Sequence, residues 1–177
     1  AADDAPHRMI AAEALGRLGK PEAVKPLLDS LRRGASDPFL EHSLIYALIR
    51  ISAFDATLVA LSDPDLRVRR AGLIALDQMN GIEQAVPDPA RGVDRSLNPY
   101  RGDTFRYVAN TQLTREHVAS LRDTDDPVLQ MALLEVLTHR PGWSEEVLTV
   151  ARKWVRSPKL AVPQQGALVL ALLASAA

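Results

Sequence analysis

The chain has no cysteine, so disulfides, thiolate nucleophiles, cysteine-ligated zinc and covalent c-type haem attachment are all excluded from it. Aromatic residues make up only 5%. A core must therefore be built from Leu, Ala, Val and Ile, which favours helix on helix over a β-sandwich. Charge of one sign is lacking too, because 21 Lys and Arg meet 22 Asp and Glu for a net charge of −1. Such a balance gives no general electrostatic reason to bind nucleic acid or an anionic membrane. No run reaches the ~18 apolar residues of a membrane span, the closing GALVLALLASAA (166–177) included. No leader peptide is visible and the first residue is not Met, so a trimmed chain or a fragment of a longer protein is expected.

What is present is a soluble, folded composition: 47% hydrophobic and 24% charged over 177 residues, enough for one domain or a short repeat array. The stretch DPDLRVRRAGLIALDQM (63–79) sets the pattern. It opens with Asp and Pro, an N-cap carboxylate followed by a residue whose missing N–H costs nothing in a first turn. At helical spacing Val68, Ala71, Gly72, Ala75, Leu76 and Met79 share one side, with Arg67, Arg70, Asp77 and Gln78 opposite. Leu66, Leu73 and Ile74 lie outside the apolar arc, as expected of a helix with neighbours on more than one side.

Similar units recur. Residues 7–18 carry Ile10, Ala11, Ala14, Leu15 and Leu18 at helical spacing, stopped by Gly19. Residues 21–33 give a second helix, with Pro26 expected to bend it or loosen its first turns. Residues 36–52 repeat the Asp-Pro opening, and a short helix over 54–62 leads into the Asp63 unit. Helical signal resumes over 113–121, 125–142, 143–158 and 164–175. Aligned on small residues, Ala14, Ala47, Ala75, Val136 and Ala171 are 33, 28, 61 and 35 residues apart. These intervals are one helix-pair period, with one interval close to double.

The double interval holds residues 82–112, rich in proline and without sustained period, read as a long irregular insertion. It carries Arg91, Arg95, Arg101 and Arg106 beside Tyr100, Phe105 and Tyr107, a mixture suited to a protein hot spot or to single-stranded nucleic acid. Glu83, Asp88, Asp94 and Asp103 cancel those four positive charges, which weighs against nucleic acid and leaves protein contact or local packing. Arg67, Arg69 and Arg70 could grip a carboxylate or phosphate, or pair with Asp63 and Asp65 on a solvated face. Asp123, Asp125 and Asp126 suit a helix cap better than a cation loop. The four histidines lack ligand spacing, and Trp143 and Trp154 suit packing. No phosphate loop, nucleophile elbow or paired catalytic carboxylate stands out, so neither a cofactor nor a catalytic set is expected.

Two pieces resemble the HEAT family, particularly its short phycobilisome-lyase-like subtype. GKPEAVKPLLDSLRRG (19–34) is similar to the first helix of that repeat, interior proline included, and the Asp63 unit is similar to its second. The likeness spans most of the chain outside 82–112. More narrowly, LEHSLIYALIRI, the Asp63 unit and a later RPGW resemble the helical-repeat segment of large exported bacterial proteins. Those combine a sugar-dehydrogenase-like propeller, a HEAT array and a cytochrome-c-like module. That resemblance implies an exported, periplasmic setting, but with no propeller or Cys-x-x-Cys-His site here it transfers no redox activity.

The expected fold is an all-α, right-handed α-α superhelix of about four helix pairs, a single array over 1–177. The expected role is a non-enzymatic scaffold that meets a protein partner, or neighbouring domains of the same polypeptide, on a concave helical surface. Its candidate contact residues are Arg67, Arg70, Arg91, Arg95, Tyr100, Arg101, Phe105 and Arg106. Two other readings are a DNA-glycosylase-like or lyase-like enzyme, since HEAT-like arrays include DNA-repair and chromophore-attaching proteins, and an internal spacer in a larger redox protein. Neither terminal helix looks like a polar capping repeat, so self-association or cover by another segment is expected.

Overall fold

A computed structural model describes residues 4–34, 37–79, 84–87, 103–106, 110–140, 142–155 and Gly166. Its helices are α1 (Ala5–Leu18), α2 (Val24–Arg32), α3 (Pro38–Ile51), α4 (Phe54–Leu58), α5 (Leu66–Gln78), α6 (Arg115–Val118), α7 (Pro127–Thr138) and α8 (Ser144–Val155). Tight 3-10 turns extend three of them: Pro21–Ala23 before α2, Val59–Ser62 after α4 and Ala119–Leu121 after α6. Pro26 falls in the first turn of α2, where its missing N–H costs least, and the chain ahead of it takes up the tight 3-10 turn.

α1 packs on α3, α3 on α5 and α5 on α7, while α2 lies against α3 and α4 against α5. The fold is thus an all-α solenoid, with the second helix of each pair stacked on the second helix of the next. Among the described residues there are three complete pairs, α2–α3, α4–α5 and α6–α7, between the single helices α1 and α8. One continuous core of mainly Leu, Ala and Val threads the stack, and Leu48, Leu73, Leu76 and Leu133 are wholly enclosed in it.

The stacked helices start alike. Asp4, Asp37, Asp65 and Asp126 occupy the N-cap of α1, α3, α5 and α7. Asp37 and Asp65 each accept the backbone N–H two residues on, and Asp126 that of Leu129. These caps stand 33, 28 and 61 residues apart, the same intervals that separate Ala14, Ala47, Ala75 and Val136. Each of those small residues lies ten positions after its cap, so the alignment on small side chains was also an alignment of helix starts.

Four expectations need correction. Asp63 does not cap α5; Asp65 does, two residues later. Asp63 is instead buried, accepting the Asp65 N–H at 2.9 Å and the Arg32 Nε–H at 3.0 Å. Asp77 is not on the solvent side of α5 but buried. The insertion is not wholly irregular, because Gln84–Pro87 and Asp103–Arg106 form a two-stranded antiparallel ribbon with Gln84 opposite Arg106. In α1 the buried small residues are Ala12 and Gly16, whereas Ala11 and Ala14 are exposed.

Off the main stripe of α5, Leu73 is fully buried and Ile74 half-buried against the core, as expected of a middle unit, while Leu66 stays partly exposed. Glycine matters at one crossing. A Cβ on Gly72 would lie 2.4 Å from the Ala60 Cβ, so α5 and the turn after α4 approach too closely for any side chain there. The expected helix over 164–175 falls outside the described residues, apart from Gly166.

Candidate interaction face

Three contacts show that the stacked helices run parallel and in register. Gly16 of α1 lies beside Ala47 of α3, with 3.1 Å from a Cβ built on it to the Ala47 Cα. Arg70 of α5 reaches Glu41 of α3 at 2.9 Å, and Arg140 at the end of α7 reaches Asp77 near the end of α5. The partners in each contact stand within two positions of each other counted from their caps, so residues at like distance from the cap fall in rows along the same side of the stack.

One row set faces solvent. On α3 the outward residues are Phe39, His42, Tyr46 and Arg50, spaced three, four and four apart along one side of the helix. Phe39 is 73% exposed and Tyr46 51%. The matching residues on α5 are Arg67, Arg70, Ile74 and Gln78, and on α7 Val128 is likewise exposed. Two solvated aromatics on one helix face form an unusual apolar patch in a chain with so few aromatics.

The arginines of α5 on this face are already matched. Arg67 holds its own cap residue, Nη2 to Asp65 Oδ2 at 2.7 Å, and donates to the Arg32 carbonyl at 3.2 Å. The Arg67 guanidinium lowers the Asp65 carboxyl below its ordinary range. Arg70 is committed to Glu41. Around the base of the same helix Arg32 joins Asp29 to Asp63, and its hydrogen bond holds the Asp63 carboxyl below the usual carboxylate range. These pairs tie α2, α3 and α5 together.

A second polar cluster fixes where the insertion rejoins the stack. Arg140 Nε donates to Asp77 at 3.1 Å, and Nη1 donates to the carbonyls of Asn110 and Leu113 at 2.9 and 3.0 Å. Asn110 in turn gives its backbone N–H to the Asp77 carbonyl and its side-chain N–H to that of Leu76. Trp143 is covered by the guanidinium of Arg140 at 5.0 Å and by that of Arg115 at 5.6 Å. Trp154 is buried in the core, so both tryptophans pack internally. His117 stacks at an angle on Phe54, its centroid 5.6 Å away.

Of the residues singled out from the sequence, the structure brings Arg67 and Arg70 to one face and engages both in ion pairs. Arg91, Arg95, Tyr100 and Arg101 lie outside the described residues, and Phe105 and Arg106 are placed only as backbone of the ribbon. Phe39 and Tyr46 were not singled out. Their signal was available: with Asp37 as cap, both fall outside the apolar stripe of Leu40, Leu44, Ala47 and Ile51. Among the described residues no cluster of His, Asp and Glu could hold a metal ion, and no helix is long and apolar enough to cross a membrane.

Residues 8–33 match the family model of the PBS lyase HEAT-like repeat. That segment covers most of α1, the 3-10 turn and α2, and the match supports a HEAT-like repeat identity for the array. No curated protein and no solved structure matches the chain.

Proposed function

We propose that this chain is a non-catalytic scaffold segment whose contact surface is the outward face of α3 and α5. The observation that carries this reading is the exposure of Phe39 and Tyr46 on one helix face, with Arg50 one turn beyond. Aromatic rings supply large contact area at little conformational cost, and hot spots are rich in them. Stacked helices hold the backbone that carries the rings in place before the partner arrives, so binding orders side chains and no backbone. The partner that suits this face is a protein offering apolar side chains with a carboxylate within reach of Arg50. Arg67 and Arg70 are each balanced by a carboxylate, which weighs against a phosphate-binding stripe and so against the glycosylase-like alternative.

A photoreactive phenylalanine placed in turn at positions 39, 46 and 55 tests this in cells that express the natural protein. Position 55 is exposed on α4, on the first-helix side of the stack. The expected result is one discrete adduct shared by positions 39 and 46, absent at 55 and weakened by Arg50→Glu. Equal labelling from all three positions, or none from 39 and 46, overturns it, as does substrate turnover by the purified chain.

A further inference from the structure

Nine residues after their caps, the stacked helices bring Tyr46 of α3, Ile74 of α5 and Glu135 of α7 to like positions on the outward side. One turn further on, Arg50 stands beyond Tyr46 and Gln78 beyond Ile74. Tyr46 is 51% exposed, Ile74 is half-buried, and Arg50, Gln78 and Glu135 are exposed. The row is thus apolar over α3 and α5, with a cation at its α3 end and an anion on α7. Both charges are free: among the described residues no hydrogen bond or ion pair engages the Arg50 guanidinium or the Glu135 carboxylate. The row's member on α1, Glu13, is matched instead by Arg17 at 2.6 Å. Nearer the caps, Arg67 and Arg70 hold Asp65 and Glu41, so a partner crossing there would have to strip water from two matched pairs. The path over Tyr46 and Ile74 meets no such obstacle between its charged ends.

We propose that the element meeting this surface is an extended peptide segment that crosses α3, α5 and α7 along this row. An acidic side chain sits on Arg50, apolar side chains on Tyr46 and Ile74, and a basic side chain on Glu135. The inference rests on the outward face assigned above and adds to it a path and a charge pattern. Neighbouring helices pack about 8–10 Å apart, and α3 and α7 are two steps apart in the stack, so the charged ends lie about 16–20 Å from each other. A strand rises about 3.3 Å per residue, which separates its acid and base by about five or six residues. A helix would need about eleven to thirteen. The Gln78 amide favours the strand. An extended backbone has unpaired N–H and C=O groups, and Gln78 offers them an acceptor and a donor in the middle of the path. A helix satisfies its own backbone and has no use for that amide.

A displayed library of random 16-residue peptides, selected at low salt for binding to the full chain, tests the path. Enriched peptides are expected to carry Asp or Glu and Lys or Arg about five or six residues apart, with apolar side chains between, and Tyr46→Ser should abolish their binding. Arg50→Glu should weaken an enriched peptide about fivefold or more in fluorescence anisotropy, and changing that peptide's acid to Lys should restore the loss. Glu135→Lys should act in the same way at the basic end. Peptides that need Tyr46 but ignore both charge reversals overturn the path and leave the contact face standing. An acid and a base eleven or more residues apart overturn it in favour of a helix. Selection that returns no peptide dependent on Tyr46 also overturns the proposal, and adducts from positions 39 and 46 then decide the face alone.

Discussion

Arg140 and Asp77, 63 residues apart in sequence, meet in a buried ion pair that closes the stack over the root of the insertion. Arg140 occupies a row filled by Ile51 in α3 and Met79 in α5, so a charge stands where the repeat otherwise buries an apolar side chain. The guanidinium is satisfied by Asp77 together with the carbonyls of Asn110 and Leu113, so its burial leaves no orphan donors at Nη1. The pair therefore specifies position: it holds residues 110–113 against the ends of α5 and α7.

Removing one partner should leave the other charge buried without the counter-charge it faces. Asp77→Ala or Arg140→Ala is expected to destabilise by about 3–5 kcal/mol, and the double variant Asp77→Leu with Arg140→Met by clearly less than the sum. Urea denaturation of the four proteins measures it. Additive losses would mean that the two side chains act independently.

Gly72→Ala sets two effects against each other. Alanine is better than glycine in a helix interior by about 1 kcal/mol, while the new methyl would fall 2.4 Å from the Ala60 Cβ. Overpacking of that kind costs about 1–3 kcal/mol, so a net loss is expected. Ala60→Gly in the same chain should recover most of it. Gly72→Ala that raises the urea midpoint would place α5 farther from the turn after α4.

The repeat is legible from its small residues, whereas its Asp-Pro punctuation falls two residues out of step at Asp63. In the structure Asp4, Asp37, Asp65 and Asp126 each cap a helix ten residues ahead of Ala14, Ala47, Ala75 and Val136, the small residues whose spacing the sequence shows. What was not legible depended on partners distant in sequence. Asp77 reads as solvent-facing because nothing local shows Arg140 arriving from 63 residues away. Asp63 reads as a cap because Asp-Pro begins α3 and α7 as Asp37-Pro38 and Asp126-Pro127, yet here Arg32 claims the carboxylate and Asp65 takes over the capping. The α3 face is faint in the sequence for a different reason: Phe39 and Tyr46 stand two turns apart with His42 between them and form no apolar run.

The Arg32–Asp63 pair predicts a direction for acid sensitivity. The folded-state pKa of Asp63 is lowered, chiefly by the Arg32 hydrogen bond, so its contribution is fully present above the unfolded value of about 3.9 and is lost as pH falls through the lower folded value. Asp63→Asn keeps an acceptor for the Asp65 N–H while removing the charge. The wild type should be the more stable at pH 7, and the gap should shrink steadily below about pH 4. Thermal melts at a series of pH values read this out. A gap independent of pH would show that the charge of Asp63 contributes nothing.

Phe39 and Leu40 are adjacent in sequence and opposite in setting: 73% exposed against 1%. Leu40→Ala should remove core packing and cost about 2–5 kcal/mol. Phe39→Ser, alone or with Tyr46→Ser, should change stability by no more than about 0.5 kcal/mol, because neither ring is enclosed. If the fold does not need the rings, they are free to serve as a contact surface. Chemical denaturation separates the two cases, and a Phe39→Ser loss as large as that of Leu40→Ala would make the α3 face part of the packing and remove it as a contact surface.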